Sequence, residues 1–164
     1  IMGTRCGDID PGVLCFLSEH EKLGPQELDH LVNKKSGLLG ISGHSDMRTC
    51  LSLANTGDPQ AQKAIDAFTH RVRLYIGGYV AILGSVDALI FTGGIGENSV
   101  VIREKICKDL DHLGFVLDPI RNKNCTQEDM NCISSTTSVA PLFVVKTQEE
   151  RQMALLAIGL INNA

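Results

Sequence analysis

TGGIGEN, at positions 92–98, holds three glycines among the five residues 92–96, directly after the apolar run VDALIF (86–91) and directly before SVVIREKI (99–106). A short β-branched apolar run reads as a buried strand, and SVDALIF (85–91) fits that pattern. The residues from Ser99 to Leu110 read as an amphipathic helix with Val100, Ile102, Ile106 and Leu110 on one face. The glycines therefore sit in a loop where strand hands over to helix. Such a loop lets a phosphate or nucleoside lie against backbone, because glycine permits close approach and the following helix offers unpaired N–H groups at its positive end. Thr92 and Asn98 add side chains able to hydrogen-bond an anion, a sugar or a base. The same residues also suit a tight turn with an asparagine cap. The stretch is neither a Walker A loop, lacking GKS or GKT, nor a GxGxxG fingerprint.

Upstream, Asp58-Pro59 is a cap-plus-proline start for the longest helical pattern, through about Leu83, with Ile65, Phe68, Val72, Ile76, Tyr79 and Leu83 spaced by three or four. That helix is expected under a sheet, and Gly77-Gly78 within it indicates a close crossing or a kink. GDIDPG (7–12) gives the same start signal at Asp10-Pro11, predicting a short helix with Val13, Phe16 and Leu17 inward. A second short helix carries Leu28, Leu31 and Val32 and stops at Gly37. LLGISGHSD (38–46) reads as a glycine-broken loop ending in a cap at Ser45 or Asp46, and MRTCLSLANTGD (47–58) as a further helix.

Downstream, GFVLD (114–118) reads as a short strand, residues 120–138 as polar connection, and SVAPLFVVKT (138–147) as one more strand despite its proline. Thr147 with Glu150 forms a T-x-x-E capping box opening a last helix whose apolar face is broad. Alternation of helices and strands around a glycine loop indicates an α/β domain.

The chain has 164 residues, 43% apolar and 21% charged, with formal net charge −4. That is enough for one core. Its 15 Lys and Arg are scattered, with no stripe for a polyanionic backbone, which argues against a nucleic-acid partner. With no signal-peptide pattern and no 18-residue apolar run, no membrane association is expected. The six cysteines make no CxxC pair or short metal spacing and read as free thiols of a reducing cytoplasm. The start, IMGTRCGDIDP, reads as if cut from a longer polypeptide.

Three further patches carry possible chemistry. Arg5 offers a planar charged fork suited to phosphoryl oxygens, beside Asp8 and Asp10, which can serve metal, turn or cap. Asp46 can accept from a ribose hydroxyl or purine amino group and Arg48 can stack on a base; a first-turn acid and a solvent-facing arginine are the simpler reading of that pair alone. Glu149 is free to approach a hydrated divalent cation, while Glu150 is engaged by the capping box. Adjacent acids are also common at helix starts.

Read together and in order, MGTRCGDIDP (2–11), SGLLGISGHSDMR (36–48), IFTGGIGENSVVIRE (90–104) and KTQEE (146–150) resemble the C-terminal half of the acetate and propionate kinase family, over essentially the whole chain. The resemblance implies an α/β, ribonuclease H-like domain of the sugar kinase, heat-shock chaperone and actin superfamily, with a mixed sheet and packed helices. It implies a nucleotide-binding domain over 1–146 and a terminal helix over 147–164 that packs toward a missing N-terminal domain. The implied activity is reversible transfer of the ATP γ-phosphoryl to a short-chain carboxylate, acetate first and propionate or butyrate next, giving acyl phosphate and ADP. A noncatalytic nucleotide-binding module of the same superfamily is the alternative. Carried over by residue, the likeness implies that Arg5 is catalytic at the transferring phosphoryl group. Asp46, Met47 and Arg48 enclose the adenosine, Gly94, Ile95 and Asn98 bind base, ribose and phosphates, and Glu149, or its neighbour Glu150, is associated with Mg2+. Homodimers, cytoplasmic location and an inactive isolated chain are implied as well.

Some positions depart from the family. Cys6 stands where serine is frequent, Met47 where phenylalanine is usual, and Gln148 where asparagine is common. Nothing resembles the family's N-terminal NxGSSS-type phosphate segment, and none of His20, His30, His44, His70 and His112 takes the role of its carboxylate-side histidine.

Overall fold

A computed structural model describes residues 1–126 and 128–162, with Asn162 known in its backbone only. The last two positions of the expected 147–164 helix, and Gln127 in the expected polar connection, lie outside the described residues. The chain divides into two compact units, Ile1–Ile82 and Leu83–Ala164, a division inside the expected 1–146 domain.

The first unit consists of helices: α1 (Pro11–His20), α2 (Pro25–Lys34), α3 (Gly37–Ser42), α4 (Met47–Asn55) and α5 (Pro59–Leu83), whose last residue crosses the boundary. Aspartates start three of them. The Asp10 carboxylate accepts from the Gly12 N–H at 2.7 Å, Asp46 from Arg48 N–H at 2.7 Å, and Asp58 from Gln60 and Ala61 N–H at 2.8 and 2.9 Å. Each such cap contributes about 1 kcal/mol. Residues 38–42, expected as loop, belong to α3, which Gly43 ends in the left-handed region. Its glycines are exits and contact points rather than breaks.

The N-terminal segment is strapped to the corner between α2 and α3. Cys6 N–H donates to Val32 O at 2.9 Å, Ser36 N–H to Thr4 O at 2.9 Å, and Leu38 N–H to Met2 O at 2.9 Å. Gly37 makes the corner possible, since at φ +65° a Cβ there would run into the Met2 carbonyl oxygen and come within 2.8 Å of the Arg5 carbonyl oxygen. Leu38, Met47, Cys50, Ala61, Ala64 and Ile65 form the core of this unit.

Several expected inward faces are open. Val13 and Phe16 of α1 are exposed, and Leu28, Leu31 and Val32 are half-buried. Along α5 only Ala61, Ala64, Ile65 and Thr69 are buried, while Tyr79 and Leu83 of the expected stripe are exposed. A Cβ on Gly77 or Gly78 would meet nothing within 4 Å, so among the described residues no close crossing explains that pair.

The second unit contains β1 (Leu89–Phe91), α6 (Gly93–Asn98), α7 (Val100–Cys107), α8 (Pro119–Lys123), β2 (Met130–Cys132), β3 (Leu142–Val145) and α9 (Glu149–Asn162). The mixed sheet has the order β1-β3-β2. β1 pairs parallel with β3, Phe91 opposite Val144, and β2 pairs antiparallel with β3, Cys132 opposite Phe143. Strand β3 starts right after Pro141, whose carbonyl still accepts from Leu89 N–H at 3.0 Å. Residues 114–118 make only one bridge, Leu117 to Ser134, rather than a strand. The expected polar connection contains α8 and β2, and α8 opens on an Asp118-Pro119 cap, the start signal seen at Asp10 and Asp58.

Phe91, Ile102, Ile106, Leu110, Phe115, Ile133, Leu142 and Val144 fill the core of this unit. Inside it lies one buried cation. Arg103, 1% exposed, donates to Asn122 Oδ1 at 2.6 Å and Asn122 O at 3.0 Å, and through Nη1 to the carbonyls of Gly96 and Glu97 at 2.8 Å each. Burial pushes its pKa down from the usual arginine value, and a fan of neutral carbonyls satisfies its charge.

Candidate functional site

Strand β1 ends at Phe91, and the glycines that follow do separate jobs. Gly93, at φ +71°, turns the chain from strand into helix in a conformation that costs other residues strain. Gly96 faces β1, where a Cβ would stand in ordinary contact with Phe91 at 3.4–3.6 Å. Gly94 is required by neither condition: its φ is ordinary, and a Cβ would meet nothing within 4 Å. Residues 93–98, expected as loop, form the short helix α6, which Ser99 ends by turning extended and capping α7 on Ile102 N–H at 3.3 Å.

Gly94 opens onto a cavity of about 610 Å³ lined by Gly93, Gly94, Thr147, Gln148, Glu149, Glu150 and Arg151. The parallel pairing of β1 with β3 explains this: the two strands end side by side, so the segments following them, 92–94 and 146–151, form facing walls. Gly94, Glu149 and Glu150, far apart in sequence, are thus brought to one cavity.

Glu97 joins the walls. Its Oε1 accepts from Gly93 N–H at 2.8 Å, Thr147 N–H at 2.9 Å and Thr147 Oγ1–H at 2.9 Å. The Thr147 backbone N–H, then its hydroxyl and Gly93 N–H, hold the Glu97 carboxyl below the usual carboxylate range against the opposing effect of burial. The expected T-x-x-E box is therefore not made. Thr147 is committed to Glu97, and α9 begins at Glu149, which puts Glu150 outside the reciprocal position such a box requires. Of the remaining wall residues, Arg151 donates to Gln148 Oε1 at 2.9 Å.

Ile95 is half-buried, and exposed Asn98 turns its side-chain N–H back to Gly94 O at 2.9 Å. In the first unit, Asp46 and Arg48 face each other in a two-pronged pair, Nε to Oδ1 at 3.1 Å and Nη2 to Oδ2 at 2.7 Å. That side-chain pairing, reinforced by the Arg48 N–H, lowers the Asp46 pKa to about 2. Met47 between them is 5% exposed and packs into the core, so its thioether presents little surface to a ligand. Arg5 is exposed, and among the described residues its guanidinium has no hydrogen-bond or ion-pair partner. Asp8 is engaged instead, by the Tyr75 hydroxyl and by Arg71 at 3.7 Å, and Asp10 is the α1 cap.

Among the described residues no group of three or more His, Cys, Asp and Glu could hold a metal, and the six cysteines are free thiols. A hydrated Mg2+ asks less, because it keeps several waters and takes one or two carboxylates together with substrate phosphates. The adjacent Glu149 and Glu150 at the cavity wall fit that donor set. Among the described residues, no helix is long and apolar enough to cross a membrane.

Sequence reasoning passed over Glu97, Arg103, Thr147 as a clamp and Arg151. Glu97 lies inside the glycine stretch, but its role depends on a threonine 50 residues later.

A family model described as the acetokinase family matches residues 1–155. The acetate kinase of Lawsonia intracellularis is 47% identical over 163 residues, 99% of this chain and 40% of the relative. The crystal structure of Porphyromonas gingivalis acetate kinase superposes with a TM-score of 0.91 at 41% identity, covering 98% of this chain and 40% of that one. A propionate kinase from Francisella tularensis gives a TM-score of 0.84 at 43% identity, covering 92% and 38%. The chain spans about 40% of the length of the curated relatives it matches.

Proposed function

Since the chain belongs to the acetokinase family, we propose that it is the nucleotide-binding portion of a short-chain carboxylate kinase, one that transfers the ATP γ-phosphoryl reversibly to acetate. The observation that carries this reading is Gly94: a glycine that neither backbone conformation nor packing demands, facing a cavity with two carboxylates on its other wall.

In this reading Gly94, Ile95 and Asn98 lie against the nucleotide, with backbone N–H groups early in α6 as donors. Because Gly93 N–H is taken by Glu97, the usable donors begin at Gly94. Asp46 and Arg48 flank the adenosine, preset by their mutual pairing and anchored by Met47 from the core side. Glu149, with Glu150 beside it, would hold Mg2+ through its water shell. When bound, the ion supplies charge neutralisation between phosphoryl oxygens. Arg5 reaches the transferring phosphoryl group, and its unpartnered guanidinium supports that role, since no internal ion pair has to break first. Phosphoryl transfer needs positioning and neutralisation more than covalent help from the protein, so one arginine and a set of N–H donors contribute much of it.

In this reading carboxylate recognition belongs to a part that this chain does not span, so the chain alone should bind nucleotide weakly and should not turn over. Acetate and propionate relatives lie at similar identity, 41% and 43% in the two crystal structures, and acetate is preferred on the curated relatives. Homodimer formation through the second half of α5 is supported by Leu74, Tyr75, Tyr79, Ile82 and Leu83, all exposed.

Substitution at Gly94 tests the reading. Gly94→Ala should leave stability unchanged or raise it by up to about 1 kcal/mol, since alanine is the better helix former. Gly94→Val should weaken Mg–ADP binding by about tenfold or more in calorimetry of the full-length protein, as its side chain enters the cavity. Unchanged affinity in Gly94→Val would remove the nucleotide from this cavity.

A further inference from the structure

Building on that nucleotide reading, we propose that Glu97 is a positioning residue: one carboxylate oxygen fixes the spacing between the glycine wall of the cavity and the wall that carries Glu149. Oε1 takes three donors from two segments, Gly93 N–H on one side and the N–H and hydroxyl of Thr147 on the other. Strand pairing aligns those segments only as far as Phe91 and Val144. Beyond the strand ends Glu97 continues the connection, and the next residues on each side are the cavity-lining Gly94 and Gln148–Arg151.

The residue is held at both ends. While its carboxylate is engaged by Thr147, its carbonyl accepts from Arg103 at 2.8 Å, as does the carbonyl of Gly96. Arg103 is itself buried and braced on Asn122, which is fully buried and donates on to Val100 O at 3.1 Å. Helix α6, with six residues, is too short to be rigid alone. Arg103 grips its last turn and Glu97 secures its start, so the corner facing the cavity is set from outside.

Direct contact between Glu97 and phosphate is disfavoured, because its charge would repel the ligand and the oxygen nearest the corner already has three donors. Its effect passes through Gly94 and Glu149. Glutamine in its place keeps an acceptor of the same reach but loses the charge that strengthens all three bonds.

The test compares full-length protein with Glu97→Gln, Thr147→Val and Thr147→Ser variants for kcat, KM of Mg–ADP and of acetyl phosphate, Mg–ADP Kd and Tm. Glu97→Gln and Thr147→Val should each raise the Mg–ADP KM and Kd by about tenfold, with the acetyl phosphate KM unchanged and Tm nearly so. Thr147→Ser, which keeps the hydroxyl, should restore nucleotide affinity. Unchanged nucleotide constants in Glu97→Gln and Thr147→Val, or equal losses in Thr147→Ser and Thr147→Val, would overturn the positioning role. Absence of saturable Mg–ADP binding in the unsubstituted protein would instead overturn the nucleotide reading, and the positioning role with it. Should a variant lower Tm strongly, the serine–valine contrast at Thr147 still decides.

Discussion

Replacing Arg103 by methionine should destabilise the second unit by about 3 kcal/mol. The side chain is 1% exposed and makes four hydrogen bonds to oxygen, to Asn122 Oδ1, Asn122 O, Gly96 O and Glu97 O, and a longer one to Cys125 Sγ at 3.7 Å. Methionine follows the arginine stem only to about Nε and has no donor, so the four oxygen acceptors lose their partner in a site with little access to water. At roughly 1 kcal/mol for each orphaned carbonyl the loss comes to about 4 kcal/mol. Part of it is offset, because the variant no longer buries a cation. Urea unfolding measures the net: with a slope of about 1–3 kcal/mol/M, the midpoint should fall by roughly 1–3 M with the slope unchanged. Arg103→Lys should fall almost as far, since an ammonium lacks the planar fork that spans α8 and α6 at once. In a double-mutant cycle with Asn122→Ala the two losses should couple by about 1–2 kcal/mol. A loss below about 1 kcal/mol in Arg103→Met would refute the reasoning, by showing that these carbonyls find other donors.

Other outcomes follow from single features. Gly37→Ala should cost at least about 2 kcal/mol in chemical unfolding, from the left-handed backbone and the collision with the Met2 carbonyl oxygen; an effect like that of Gly94→Ala would contradict the strapped N-terminal corner. The Asp46 carboxyl is lowered from 3.8 to about 2, so the stability it adds is complete above its unfolded pKa and disappears as pH falls through about 2. Thermal unfolding of Asp46→Asn against the unsubstituted protein should therefore show a gap at pH 7 that closes toward pH 2, and a gap that widens in acid would reverse the assignment. Among the thiols, burial pushes Cys107 up to about 12, whereas exposed Cys132 is lowered by its hydrogen bond with Ser134. A thiol reagent at pH 8 should label Cys132 in native protein and Cys107 only on unfolding; early labelling of Cys107 would contradict its place in the core.

Elements announced by local chemistry were legible in the sequence. Asp10-Pro11 and Asp58-Pro59 mark the starts of α1 and α5 because cap and proline act within one turn, and Asp118-Pro119 carries the same mark for α8 inside a stretch whose polarity hid it. Glycine misled where it was taken for flexibility: α3 and α6 are helices whose glycines serve φ, contact or open space. The apolar stripe of α5 was legible as a pattern, but not which half of it is buried, because that depends on what lies opposite. Of the cavity lining, Gly94 and the Glu149–Glu150 pair were singled out by motif resemblance. The Glu97–Thr147 clamp was not, since the local capping-box pattern at Thr147 competes with a partner that only the β1–β3 pairing brings near.

Hydrogen exchange of the full-length protein with and without Mg–ADP addresses the central claim most directly. Nucleotide in the cavity should slow exchange at the amides of Gly94 and Ile95 and across residues 148–151, with little change in α8 or β2. Saturating Mg–ADP that protects other segments and leaves both walls of this cavity exchanging as before would contradict it.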